Sequence, residues 1–376
     1  MQQDDDVPAY GSGPSRRTLL ASGTALAFGL TALGASRKAR AASVPATKPD
    51  KIIVRTWGDP WQSTLQKAVS EKFTAETGIK VAYDLTDFGP MQVKIQQALK
   101  AGNRPPCDVN HTVAYFAARA VAQRLVQKLD PEIVTNETQL TAVGLSSGSS
   151  AGYFVSPYSY IYPIIYNSDL IQPPEDMSWE GILDPKYGKS FFGGGTFDEL
   201  IMPFAKIKGI DVATGDLTPV WAEIAKLKPN LTGLGQDSDF VNSMKSKQSK
   251  WGTFIVGNGI DLKNGGLPIK WFVPREGSTM CTDSLYVPRG LPDNVNYYAQ
   301  KYINQWIDAA SLTAYCEAVG TVPTNKGSTP AKYMLNDPVF PFTEEQIHKY
   351  ALPMPMDATA RNQDKWQAAY MMALQG

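Results

Sequence analysis

Residues 51–85 read KIIVRTWGDPWQSTLQKAVSEKFTAETGIKVAYDL, and this stretch decides the fold class. Lys51 to Thr56 is a short apolar run closed by a Gly-Asp-Pro turn. Gln62 to Thr77 carries Leu65, Val69 and Phe73 at helical spacing and is stopped by Gly78, and Ile79 to Leu85 then alternates as a strand does. Strand, helix and strand in so short a span is the βαβ unit of a parallel sheet, so the chain is read as α/β.

Outward from that unit the pattern continues. Val93 to Ala101 reads as a helix ended by Gly102, Asp108 to Val113 as a strand, and Tyr115 to Leu125 as a further helix. After a Gly/Ser-rich patch at 144–152, residues 153–167 are apolar and dense in tyrosine: Tyr153, Tyr158, Tyr160, Tyr162 and Tyr166. A second βα series runs from Ser190 to Val273. It opens on Phe191-Phe192 and a triple glycine, with helices expected over 197–208 and 219–227 and strands over 252–256 and 269–272. A strand at 284–288, helices over 295–309 and 312–319, and a last helix at 364–374 complete the reading, which implies two α/β lobes of similar size.

Composition narrows the function. The chain has 376 residues, 43% hydrophobic and 19% charged, with 36 Lys and Arg balancing 36 Asp and Glu. No net field draws it to nucleic acid or to an anionic membrane. Its two histidines, His111 and His348, and three cysteines, Cys107, Cys281 and Cys316, stand too far apart for zinc or thiol-redox spacings. No metal or other cofactor is expected, and the cysteines are read as small core residues.

The N-terminus reads as an address. Ser15-Arg16-Arg17-Thr18-Leu19-Leu20 is followed by a weakly apolar run to Ala35 and by Ala39-Arg40-Ala41, an A-x-A pattern before Ala42. The run is too short and too diluted by glycine for a stop-transfer helix. It resembles a twin-arginine (Tat) signal peptide cleaved after Ala41, which implies a bacterial, periplasmic protein exported from the cytoplasm.

The order of further motifs carries a family resemblance. They are Val54-Arg55-Thr56-Trp57; Phe73-Thr74-Ala75-Glu76-Thr77-Gly78-Ile79-Lys80-Val81; Cys107-Asp108-Val109 with Tyr115 and Leu125-Val126-Gln127-Lys128-Leu129-Asp130; and Ser178-Trp179 before 183–190. Pro274-Arg275-Glu276-Gly277, Thr282-Asp283-Ser284-Leu285-Tyr286-Val287-Pro288 and Gly320-Thr321-Val322-Pro323-Thr324-Asn325 follow. Together they are similar to a type II periplasmic solute-binding protein of an ABC importer, and within that group to the spermidine/putrescine-binding branch.

The resemblance implies a two-lobed Venus-flytrap fold with a ligand cleft between the lobes. Residues 1–41 are the signal peptide, 42–156 the first part of lobe one, 157–281 lobe two, 282–340 the return to lobe one, and 341–376 a C-terminal segment and helix packing across both. It implies a monomer that performs no chemistry, captures a small cationic amine and passes it to an ABC permease in the inner membrane. In the polyamine branch aromatic rings pack the methylenes and carboxylates pair the amines. Carried over by position, Trp57 and Asp59 match the aromatic and acid of the first strand-turn, Tyr115 an aromatic after the third strand, Glu199 a carboxylate of lobe two, and Asp283 the carboxylate beside the hinge strand. Ile255 and Cys281 stand where the polyamine pattern has tryptophans, so the aromatic box is incomplete.

Physical reading of the residues leaves alternatives. Trp57, Asp59 and Trp61 lie at the carboxyl end of the first strand, where parallel sheets bind ligands, and an acid between two tryptophans suits a cation. The competing reading buries both rings and has Asp59 start the next helix. Asp283 has a competing reading as a hydrogen-bonded turn carboxylate. Gly193-Gly194-Gly195-Thr196 opening a helix could hold a phosphate or carboxylate on its amides, which suits 2-aminoethylphosphonate or thiamine phosphate, but Asp198 and Glu199 in the first turn repel an anion. The tyrosine segment is read as a half-buried strand pair first and as ligand-facing second. Tyr297-Tyr298 falls within a helix, which discounts ferric iron. Gly144-Leu145-Ser146-Ser147-Gly148 satisfies G-x-S-x-G, with His348 downstream, and a secreted serine hydrolase is the remaining enzyme reading; no apolar strand precedes it.

Overall fold

The structure is a computed structural model, which describes residues 43–174 and 176–375. The expected signal peptide and its cleavage site lie outside the described residues. In chain order the strands are Lys51–Arg55 (β1), Lys80–Asp84 (β2), Val109–Val113 (β3), Val126–Gln127 (β4), Val155–Ile161 (β5), Ile164–Asn167 (β6), Phe191–Gly194 (β7), Leu231–Gly235 (β8), Trp251–Thr253 (β9), Ile269–Phe272 (β10), Ser278–Pro288 (β11), Val322–Pro323 (β12) and Ala351–Pro353 (β13).

Among the described residues they form two sheets. The larger runs β12-β5-β11-β3-β1-β2, with β4 and β13 also pairing to β11; the smaller runs β10-β6-β9-β7-β8. The βαβ reading of residues 51–85 holds: β1 pairs in parallel with both β2 and β3. Ile52 and Val54 point to one face, where they meet Leu65, Val69 and Phe73 from the intervening helix, while Ile53 points to the other, beside Met91, Ile95 and Ala117. That alternation is what a strand covered on both faces by helices requires. Gly78 ends the helical stretch in a left-handed conformation, its amide returning to Thr74 O at 2.8 Å. The stretch itself is interrupted by a π turn, Gln66–Ser70, where the Ser70 hydroxyl bonds the hydroxyls of Tyr83 and Tyr302; periodicity alone does not announce it.

The chain passes from the larger sheet to the smaller at Tyr162-Pro163, between β5 and β6, and returns between β10 and β11. The tyrosine segment is therefore not one hairpin in one sheet but two strands in different sheets. Two further differences have local causes. The strand expected at 284–288 begins at Ser278, because its Ser/Thr-rich first half is paired on both sides, to β5 and to β13. The strand expected at 252–256 stops at Thr253, and Val256–Asn264 is helix.

The helix expected over 364–374 is longer, Met356–Gln375. Met356 and Ala360 pack against a core cluster of the larger sheet, whereas Trp366, Tyr370 and Leu374 pack in that of the smaller. One helix thus binds to both halves of the molecule.

Candidate solute site between the two sheets

Backbone pairing assembles one wall of the site. In β11, Asp283 stands opposite Tyr158 of β5 on one side and Val113 of β3 on the other, while Cys281 stands opposite Tyr160 and Leu285 opposite His111. Because paired residues point to the same face, His111, Tyr158, Tyr160, Cys281 and Asp283 share one side of the larger sheet.

Asp283 is 3% exposed, and its carboxylate is well supplied with donors. Trp57 Nε1 donates to Oδ2 at 2.6 Å, the Tyr158 hydroxyl to Oδ2 at 2.8 Å and the Tyr160 hydroxyl to Oδ1 at 3.0 Å, with His111 Nε2 at 3.2 Å. Burial pushes the carboxyl pKa up, but the bonds from His111, Tyr158 and Trp57 outweigh it and hold Asp283 below the ordinary aspartate value, as an anion. Burial likewise lowers the His111 pKa, so the imidazole is neutral: Nδ1 accepts from the Thr56 hydroxyl at 2.9 Å and Nε2 carries the proton toward Tyr158 and Asp283.

Behind Trp57 lies Arg55, 1% exposed, its guanidinium 4.1 Å from the centre of the indole ring. Its Nε donates to Thr86 O at 2.8 Å and its Nη1 to His111 O. This cation serves the interior of the larger sheet, and Asp283 feels its charge.

The facing wall is built differently. The helix Asp198–Lys208 starts just after β7, so Asp198 and Glu199 occupy its first turn, where the positive end of the helix dipole favours carboxylates. Asp198 accepts from the Tyr115 hydroxyl at 2.9 Å, a bond that joins the helix Ala114–Ala122 beside the larger sheet to the smaller-sheet half. Asp198 Oδ1 and Glu199 Oε2 are buried and have no hydrogen-bond partner at normal geometry, although the Thr196 hydroxyl lies close enough to the Asp198 carboxyl to favour its anion. Desolvation raises both carboxyls, Glu199 well above the ordinary glutamate value, and their mutual repulsion adds to the Glu199 shift. Asp237 is raised by burial as well, despite a 3.0 Å bond from Asn258, and Asp283 adds repulsion to both Asp198 and Asp237. Charge coupling therefore links four carboxyl groups, three at helix starts beside the smaller sheet and Asp283 on the larger.

The glycine loop is tied into the smaller sheet. Gly193 and Gly194 are paired within the sheet to Leu234 and Gly235, and the Gly195 amide donates to Gly235 O at 2.8 Å. A Cβ at Gly194 would overlap the Glu199 carboxyl group, so the glycine is there to let an acid lie against the backbone.

Of the residues singled out from the sequence, the structure brings Trp57 and Asp283 together directly, and Tyr115 together with the Asp198-Glu199 turn that Thr196 precedes. Trp61 stacks on Tyr158, with ring centroids 5.8 Å apart and planes at 25°, in the core of the larger-sheet half. Asp59 is exposed and accepts from the Ser63 amide at 2.9 Å, so it caps the helix Trp61–Leu65 outside the carboxylate cluster. Asp198 and His111 are not site candidates in the sequence, and Tyr158 and Tyr160 enter there only through the second, ligand-facing reading of the tyrosine segment. The i, i+2 spacing of Tyr158 and Tyr160 was a legible signal that both hydroxyls point one way; nothing local indicated that Asp283 lies opposite them.

The hydrolase reading is overturned. Ser146 lies in a loop between short 3-10 turns, where its hydroxyl accepts from the Gly152 amide at 3.1 Å, and His348 is exposed on the helix Glu344–Tyr350. No strand-to-helix elbow presents the serine. The three cysteines are free and buried, and among the described residues no helix is long and apolar enough to cross a membrane.

Two mixed sheets with helices, facing each other across a buried polar site, define the class: this is the type II periplasmic solute-binding fold. Residues 68–341 match the family model of bacterial extracellular solute-binding proteins, and the chain belongs to that family. It is a solute-binding protein, not an enzyme. It is 25% identical over 282 residues to the spermidine/putrescine-binding periplasmic protein of Salmonella typhimurium, covering 72% of this chain and 74% of that one. The same-named protein of Escherichia coli K12 is 24% identical over 238 residues, 61% of this chain and 66% of that one. Among solved structures, the Atu4243-GABA receptor superposes with a TM-score of 0.72 at 22% identity, covering 87% of this chain and 98% of that one. The spermidine/putrescine substrate-binding protein PotD of Streptococcus pneumoniae gives 0.70 at 20%, covering 86% and 98%. The protein AgtB of A. tumefaciens R10, in complex with agropinic acid, gives 0.70 at 18%, covering 88% and 100%.

Proposed function

We propose that the protein captures a small cationic amine of polyamine type, such as putrescine or spermidine, between its two halves and delivers it to an ABC permease. The observation that supports this reading is the pair of buried carboxylate oxygens without partners, Asp198 Oδ1 and Glu199 Oε2, with a third, ionised carboxylate, Asp283, close enough for Asp198 to feel its charge. A buried carboxylate is costly unless paired, and a primary ammonium supplies both the charge and three donors. Trp57 and the tyrosines 115 and 160 offer rings for the methylene chain. The relatives named for spermidine and putrescine support the same reading.

In this reading the larger and smaller sheets are the cores of the two lobes. They close on the solute about the crossings at Tyr162-Pro163 and between Phe272 and Ser278, after residues 1–41 have directed Tat export to the periplasm and been removed; the protein acts as a monomer. An aminophosphonate or thiamine phosphate is disfavoured because the Gly195 amide is already bonded to Gly235 O and the Glu199 carboxyl lies against Gly194, where it would repel an anion.

The test is a thermal-shift panel on residues 42–376 with putrescine, spermidine, 2-aminoethylphosphonate, thiamine and thiamine phosphates. A solute at a hundred times its Kd stabilises by about 2.7 kcal/mol. A shift with the polyamines alone is expected; a shift with phosphorylated compounds alone overturns the amine assignment.

A further inference from the structure

The C-terminal helix reaches the carboxylate wall from outside it. On Met356–Gln375, the Tyr370 hydroxyl donates to Gly194 O at 2.8 Å and Gln367 Nε2 donates to Gly195 O at 2.8 Å, while Trp366 meets Phe197 edge-on with centroids 5.7 Å apart. Tyr370 is fully buried. These three residues hold consecutive parts of the turn that leads from β7 into the helix of Asp198 and Glu199. The carbonyls they hold belong to Gly194, against which the Glu199 carboxyl lies, and to its neighbour. From the same helix Asp364 pairs with Arg119 of Ala114–Ala122 at 2.8 Å, and that helix carries Tyr115, the donor to Asp198.

We infer that Tyr370 and Gln367 are positioning residues for the solute: by fixing the Gly194-Gly195 carbonyls they set the place of the Glu199 carboxyl, which they do not themselves touch by hydrogen bond. The physical basis is that a glycine turn has no side chain of its own to restrict it, so its geometry is set by what its carbonyls bond to. The inference rests on the reading of Glu199 as a solute-binding residue, and the experiment separates the two.

Putrescine affinity is measured by calorimetry for the unmodified protein, Tyr370→Phe, Glu199→Gln and the double variant. Tyr370→Phe removes one hydroxyl and keeps the ring. If it acts through Glu199, it weakens binding about three- to tenfold in the unmodified background, the range for one lost hydrogen bond, and by less than about 1.5-fold once Glu199 is glutamine. An equal loss in both backgrounds, or none, overturns the inference.

A solute-free arm runs alongside. The Glu199 carboxyl is coupled by charge to Asp198 on its own helix, Asp237, Cys281 of β11, and Tyr115, Tyr162 and Tyr370. Tyr370→Phe should lessen the fall in Tm between pH 5 and pH 8 where Glu199 is present and leave it unchanged in Glu199→Gln. A protein that binds no amine defeats the functional reading, while this arm still decides the positioning role: no dependence on Glu199 overturns it.

Discussion

Asp283 and Glu199 are both acids and both nearly inaccessible to water, yet their surroundings drive them in opposite directions. On the larger sheet Asp283 has Trp57, Tyr158, Tyr160 and His111 around it and remains ionised. On the smaller-sheet side Glu199 has an unpartnered oxygen, a neighbouring carboxyl and a raised pKa. Burial is the same for both; the supply of donors differs. One acid is satisfied by the protein's own donors, and the other is not.

The strongest way to break this contrast is Asp283→Ala. It leaves the Trp57, His111, Tyr158 and Tyr160 donors without their acceptor and should cost about 3 kcal/mol of stability or more, hydrogen bonds to a charged group contributing about 1.5–3 kcal/mol each, read by urea denaturation without solute. A loss under about 1 kcal/mol would mean that water reaches these donors. The sign with pH follows from the lowered pKa: the Asp283 contribution is present above the ordinary aspartate pKa and is lost as pH falls through the folded value.

Glu199→Gln should behave in the opposite way. Removing a buried, unpaired charge leaves the solute-free protein at least as stable at pH 8, while putrescine affinity falls about 10- to 100-fold with the loss of a charge-assisted bond. A destabilised Glu199→Gln with unchanged affinity would make the two walls alike.

The same asymmetry sets a pH dependence. Asp198, Glu199 and Asp237 have raised pKa values, so their contribution to stability is fullest below the ordinary carboxyl range and is lost as pH rises through the folded values. An ammonium ion requires them ionised, so amine binding should release about one proton and affinity should rise with pH, by up to about tenfold per unit. Calorimetry in buffers of different ionisation heat measures this, and zero proton release contradicts it. The smallest effect belongs to Asp59, which caps a helix outside the cluster: Asp59→Ala should cost at most about 1 kcal/mol and leave putrescine affinity unchanged.

Much of the fold was legible because it rests on short-range repetition. Leu65, Val69 and Phe73 recur at helical spacing and Gly78 supplies the stop, so the first βαβ unit could be drawn from the sequence. β11 was read too short because Ser278, Thr279 and Thr282 lack the apolar alternation of a one-sided strand; pairing to both β5 and β13 makes it one. In the site, Trp57, Tyr115, Glu199 and Asp283 came from the family resemblance, carried over by position. Asp198 was read as part of a helix start, and His111 went unassigned because a lone histidine has no spacing to interpret.

The sequence by itself determined an α/β chain without zinc or thiol-redox spacing, and its motif order carried the resemblance to solute-binding proteins, since periodicity, turn residues, motif order and composition are properties of neighbours along the chain. Only the tertiary structure decided which of its acids are satisfied. The Tyr158 hydroxyl that bonds Asp283 is 125 residues away in sequence, and the Tyr115 hydroxyl that reaches Asp198 is 83 away. A carboxyl group's charge depends on the donors and charges within a few ångströms in space, and those neighbours are chosen by the packing of strands and helices.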